Sequence, residues 1–137
     1  VKYQLLFVYG TLMNGLSAHT FLIDSPFVSH GILYGAKLLH LKDGFPGVVE
    51  GEGTVFGEVY RVDDITLKAI DLFEEYNELF PEESFYIRKL KPVRLIPMNE
   101  FIEAWVYVLN PMFLEDLEFT EVPFGNWREF LSKFLKM

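Results

Sequence analysis

Phe7-Val8-Tyr9-Gly10-Thr11-Leu12 is the stretch on which the reading of the chain turns. With Leu5 and Leu6 it forms an apolar, β-branched and aromatic run that reads as a buried strand ending at Gly10. Glycine is free to take backbone angles that a side chain forbids. The turn pair Asn14-Gly15 follows shortly after. A buried strand that stops in such a turn leaves N–H groups without ladder partners, and these suit a carboxylate, a phosphate or an oxyanion. An ordinary strand-ending turn is the other reading of the same six residues.

Further along, short strands are expected at Val28–Leu33, Ala36–Leu41, Gly47–Val49 and Thr54–Arg61, with glycines between them. Lys42-Asp43-Gly44 is a hairpin turn signal. Ser17 to Ile23 is expected to form a short helix capped by Ser17. Asp63-Asp64 offers an N-cap for a helix from Ile65 to about Glu75. Two more strands, Phe85–Val93 and Phe101–Leu109, follow, the first broken by prolines in the manner of an edge or a bend. Asn126-Trp127-Arg128-Glu129 reads as a capping box opening a C-terminal helix at about 126–136, with Trp127, Phe130, Leu131, Phe134 and Leu135 on one face. The class is α+β, a compact mixed β-barrel of short strands with a few flanking helices, in one domain spanning 1–137.

Composition narrows the function. Half of the chain is hydrophobic and 17% is aromatic, which favours a packed core over disorder. A net charge of −8 repels phosphate backbones, so nucleic acid is not an expected partner. No segment approaches the ~20 apolar residues of a membrane span. No basic stretch leads into an apolar run at the N-terminus, and the expected location is cytoplasmic. Without cysteine there are no thiolate ligands, thiol nucleophiles or disulfides. His19, His30 and His40 stand too far apart to form a paired metal motif, so no metal is expected. Gly51-Glu52-Gly53-Thr54-Val55-Phe56-Gly57 fails as a nucleotide fingerprint, because its last glycine is one place late and a strand follows.

Among many carboxylates, helical projection separates two neighbours. It puts Ile65, Ala69, Leu72 and Tyr76 on the core stripe, and Lys68, Asp71 and Glu75 on a solvated face. Glu74 falls on the ridge of Leu67 and Ile70. Apolar neighbours disfavour a charged carboxylate and raise its pKa towards the range of a general base. A frayed helix end is the plain alternative for Glu74.

Several of these pieces, in this order, resemble the gamma-glutamylcyclotransferase-like family, particularly its small gamma-glutamylamine cyclotransferase branch. The pieces are Phe7-Val8-Tyr9-Gly10-Thr11-Leu12, then Ile70-Asp71-Leu72-Phe73-Glu74, then Tyr86-Ile87-Arg88. Gly31-Ile32-Leu33-Tyr34, Phe45-Pro46-Gly47-Val48-Val49, Gly57-Glu58-Val59-Tyr60 and Ala104-Trp105-Val106-Tyr107-Val108 are similar to the linking strands. One departure is Glu75, where the family often has glycine.

The resemblance implies a compact barrel with a pocket at the end of the first strand. It also implies a cofactor-independent cyclisation of a small gamma-glutamyl amine or peptide to 5-oxoproline. Glu74 would be the general base and acid, and Tyr9, Gly10, Thr11 and Leu12 would bind substrate. Tyr34, Arg88 and Tyr107 are added as pocket walls. Arg88 could instead pair with Asp71 or with a substrate carboxylate, or lie on the strand surface. A monomer or homodimer is expected. A non-catalytic module that binds a carboxylate or gamma-glutamyl ligand on the same fold is the alternative.

Overall fold

The computed structural model of the chain describes residues 2–134. Its strands are β1 (Tyr3–Val8), β2 (Phe27–Leu41), β3 (Pro46–Asp63), β4 (Tyr86–Ile96), β5 (Glu100–Leu109) and β6 (Phe119–Glu121). Two α-helices, α1 (Asp64–Phe73) and α2 (Trp127–Phe134), and four short 3-10 turns complete it. Leu135 of the expected C-terminal helix lies outside the described residues.

The strands run in the order β3-β1-β5-β4-β2-β6, and β2 pairs back onto β3. Five strands therefore close into a ring, and β6 is appended to β2. Closure removes most of the free strand edge. All pairings are antiparallel except β1 with β5, which meet at Leu6 and Trp105. Leu6, Phe7, Val59, Val62, Val93 and Val106 fill the interior.

Four expected short strands are in fact two long, bent ones, β2 and β3. The glycines bend the strands without ending them. At Gly35, with φ of 71°, the register between β2 and β3 slips by a bulge and resumes at Ala36. Pro92 is tolerated because β2 meets β4 only at Arg94–Ile96, leaving Pro92 without a neighbour on that side. The expected helix at Ser17–Ile23 is a 3-10 turn, His19–Leu22. Ser17 does not cap it, since Ala18 holds the N-cap position with no side-chain bond.

The start of α1 follows the sequence: Asp63 Oδ1 accepts the Thr66 N–H at 2.7 Å. Its buried face does not. Ile65 and Leu72 are 83% and 82% exposed, whereas Leu67, Ile70 and Asp71 are buried. Apolar residues stand on both sides of this helix, so projection alone could not choose the face that meets the barrel. Leu67 and Ile70 are that face, and Glu74 follows on the same ridge. The buried position of Asp71 is made tolerable by Arg88 and Tyr107, which come from β4 and β5.

Helix α2 begins with Asn126, whose Oδ1 accepts the Glu129 N–H at 3.0 Å. The Glu129 carboxylate turns to Lys133, at 3.0 Å, so the cap is one-sided. Trp127 is buried and stacks on His40. Among the described residues, no helix is long and apolar enough to cross a membrane.

Candidate active site

Where β1 ends, a cavity of about 220 Å³ opens between the turn that follows, the end of α1 and the β2–β3 hairpin. Tyr9, Gly10, Thr11 and Leu12 line it on one side, and Glu74 and Glu75 on another. Phe45, Pro46, Phe73, Phe85, Tyr86 and Tyr107 complete most of the wall. Tyr34 and Arg88 are not part of the lining. Tyr34 lies on β2, half-exposed, with its hydroxyl against Arg94 Nε at 2.8 Å.

The turn has a defined hydrogen-bond pattern. Met13 N–H donates to Gly10 C=O at 3.0 Å, and Ala18 N–H to Thr11 C=O at 2.9 Å. His19 Nδ1 donates to Leu12 C=O at 2.9 Å. The carbonyls are thus engaged, while the N–H groups of Thr11 and Leu12 donate to no acceptor among the described residues. Glycine is required at position 10 on steric grounds: a Cβ there would run into the Pro46 ring.

Two residues that sequence reasoning passed over hold this turn. Glu58, buried on β3 opposite Val8, accepts Asn14 N–H at 2.9 Å and the Tyr60 hydroxyl at 2.9 Å. Arg128 of α2 donates to Asn14 C=O at 2.9 Å and to Glu58 Oε2 at 3.1 Å. One ion pair therefore grips the Asn14 residue through both its N–H and its C=O. Nothing local in the sequence signals a pairing between positions 70 residues apart.

Glu74 sits at the C-cap of α1, half-buried, and its carboxylate makes no hydrogen bond or ion pair among the described residues. Burial, and then the charge of Glu75, push its pKa up to about 7. The helix ends in a Schellman motif: Glu75 N–H donates to Leu72 C=O at 3.2 Å and Tyr76 N–H to Asp71 C=O at 2.8 Å. This motif places Glu75 at φ of 56°, a left-handed conformation that glycine adopts most easily. The glycine often found here in the resembling family has its physical reason in that angle.

Behind the cavity lies a buried polar network. Tyr9 donates its hydroxyl to Tyr107 C=O at 2.6 Å, and Tyr107 donates its own to Asp71 Oδ1 at 2.5 Å. Arg88 holds both oxygens of Asp71 and lies between the rings of Trp105 and Tyr76, 4.3 and 5.3 Å from their centroids. Tyr86 donates to Pro46 C=O at 2.5 Å. Burial above all raises the pKa values of Tyr9, Tyr86 and Tyr107, so all three stay protonated as donors. Among the described residues no group of three acidic or histidine side chains could hold a metal ion.

The arrangement combines unengaged N–H donors with a carboxylate of elevated pKa in one partly apolar cavity. It can hold an anion on one side and move a proton on the other.

Comparison with known proteins bears on the same residues. The family described as "Gamma-glutamyl cyclotransferase, AIG2-like" matches residues 6–129. A Vibrio cholerae protein named "Putative gamma-glutamylcyclotransferase" is 42% identical over 105 residues, covering 77% of this chain and 81% of that protein. A Niallia circulans "Gamma-L-glutamyl-butirosin B gamma-glutamyl cyclotransferase" is 29% identical over 131 residues, 91% of this chain and 76% of that one. Among solved structures, Bacillus subtilis YkqA superposes with a TM-score of 0.72 at 25% identity, over 95% of this chain and 41% of that chain. An AIG2-like protein from Mus musculus gives 0.68 at 25% identity, over 83% and 84%. The fold, the family match over all the cavity-lining residues and these likenesses agree: the chain belongs to the gamma-glutamyl cyclotransferase, AIG2-like family.

Proposed function

We propose that this protein cyclises a small gamma-glutamyl amine or peptide to 5-oxoproline and releases the free amine, with Glu74 as the proton carrier. The observation that carries the proposal is an unpaired, half-buried Glu74, with its pKa near 7, in the cavity that also presents the N–H groups of Thr11 and Leu12.

The substrate's α-carboxylate, or the oxyanion formed from its side-chain carbonyl, is held by those N–H donors. One such donor aimed at an oxyanion contributes about 3 kcal/mol in the transition state. Glu74 takes a proton from the α-ammonium. The freed α-nitrogen attacks the side-chain carbonyl carbon, forming the ring C–N bond. Glu74 returns this proton to the leaving nitrogen as the tetrahedral intermediate collapses and the bond to that nitrogen breaks. Glu74 then carries the second proton of the ring nitrogen to the released amine, which departs as an ammonium. No water is consumed and no net proton is lost. Nucleophile and carbonyl belong to one molecule, so the cavity has chiefly to enforce the folded conformer. The tyrosine and phenylalanine walls suit that task.

The test is incubation of the protein with gamma-glutamyl amines and dipeptides, followed by chromatography for 5-oxoproline. Product is expected from the wild type, with turnover reduced about 10²–10⁴-fold in Glu74→Gln. Turnover by Glu74→Gln at the wild-type rate would overturn the role of Glu74. Ligand uptake by calorimetry without product would favour the non-catalytic binding reading.

A further inference from the structure

Charge matching across the cavity leaves one group over. In the proposed reaction, the N–H groups of Thr11 and Leu12 match the α-carboxylate and Glu74 matches the α-ammonium. Glu75 also lines the cavity, and it is exposed. Among the described residues its carboxylate has no salt-bridge or hydrogen-bond partner. No lysine, arginine or histidine lines the cavity. The exposed lining residues Phe45, Phe73 and Glu75 mark its open side, the way out for the part of the substrate beyond the glutamyl unit. There the leaving amine meets two aromatic rings and one carboxylate.

We infer that Glu75 is a specificity-determining residue that selects leaving amines carrying a second, cationic nitrogen on an apolar chain, and disfavours those carrying a free carboxylate. The inference rests on the proposed cyclisation, because that reaction decides which part of the substrate points outward. A cation on the leaving group gains the attraction of Glu75 and lies against the faces of Phe45 or Phe73. A carboxylate there meets Glu75 with no cation in the lining to offset the repulsion. The left-handed backbone at Glu75 is consistent with a side chain retained for its charge, since glycine would relieve the conformation.

Three synthetic gamma-glutamyl amides of equal length test this: those of a linear diamine, of the matching alkylamine and of the matching ω-amino acid. In the wild type, kcat/KM is expected to fall in that order, by about fivefold between the first two, as for one partly exposed charge pair. The difference should appear in KM and shrink in high salt. Glu75→Gln should bring the ratio close to one, and Glu75→Lys should invert it. An unchanged ratio in Glu75→Gln, or no preference in the wild type, would overturn the inference. Calorimetric titration of the same amides into Glu74→Gln reads selectivity without chemistry. Diamine preference there, lost in the Glu74→Gln/Glu75→Gln protein, would support the role of Glu75 even if no 5-oxoproline formed. Turnover without preference would overturn the Glu75 role alone. Absence of both binding and turnover would overturn the inference together with the cyclisation.

Discussion

Arg88 holds Asp71 through two parallel hydrogen bonds, Nε to Oδ1 at 2.8 Å and Nη2 to Oδ2 at 3.0 Å, with both side chains buried. The pair ties the last turn of α1 to the inside of β4, and Tyr107 on β5 closes the triangle. Glu74 is three residues beyond Asp71, so this pair fixes the helix end from which Glu74 reaches the cavity. Two charges taken out of water are costly unless their remaining bonding capacity is filled, and here the Tyr107 hydroxyl and two aromatic faces help to fill it.

Asp71→Asn should therefore cost about 3–5 kcal/mol in stability, because it leaves the buried Arg88 with only the exposed Glu78 carboxylate, 3.7 Å away, as counter-charge. Denaturant unfolding monitored by tryptophan fluorescence would measure it. Replacing Arg88 as well by methionine should recover part of the loss. A cost below ~1 kcal/mol for the single variant would show that the pair contributes little to the fold.

As the proposed proton carrier, Glu74 should link activity and stability to pH with opposite signs. Its pKa is raised in the folded protein, so between the unfolded value and about 7 the native state binds more protons than the unfolded chain. Its charge is thus a native-state cost that grows as pH rises through that window. Glu74→Gln should stabilise the protein at pH 8, by a figure on the order of 1–3 kcal/mol, with the difference fading below about pH 4.5. The wild-type kcat/KM should show a rising limb near pH 7, where Glu74 becomes able to accept a proton. Glu75→Gln should move that limb to lower pH, though by less than burial raised it, since burial is the larger cause.

Arg128 should act through the turn it grips. Arg128→Met is expected to cost about 1–2 kcal/mol, because Glu58 keeps its Tyr60 and Asn14 N–H donors. KM should rise by about threefold to tenfold as the N–H groups proposed to hold the anion lose their fixed position. Amide hydrogen exchange should quicken over residues 10–16 and not over β4 or β5. Uniform acceleration across the sheet would point to a general loss of stability instead.

Gly10→Ala should be poorly tolerated despite its size. The added Cβ meets Pro46, and the turn must move to admit it. A stability cost of about 1–3 kcal/mol is expected from such overpacking. A displacement of about 1 Å in the donors would lower kcat/KM by as much as 10²-fold. Thermal denaturation and steady-state kinetics on the same preparation separate the two effects.

Glu75→Gly provides a control of opposite sign. Glycine suits the left-handed position, so the variant should be more stable by about 0.5–1 kcal/mol, seen as a small rise in Tm. A fall in Tm would mean that the Glu75 side chain contributes more to the fold than its backbone angle costs.

Local patterns in the sequence were enough to place the first strand and its glycine stop, the Asp63 cap, the ridge shared by Leu67, Ile70 and Glu74, and the Asn126 cap. Each depends on residues within a few positions of one another, where side-chain chemistry and helical or strand periodicity act directly. Tertiary structure decided the rest. Which side of α1 faces the barrel could not be read from a helix apolar on both sides, and the buried side carries Asp71. Its burial depends on Arg88 and Tyr107, 17 and 36 residues away. Likewise, Glu58 and Arg128 meet over the Asn14 turn only because β3 and α2 are brought together there. A charge reads as solvated until the distant partner that desolvates and neutralises it is known, and that partner is supplied by the closed ring of strands.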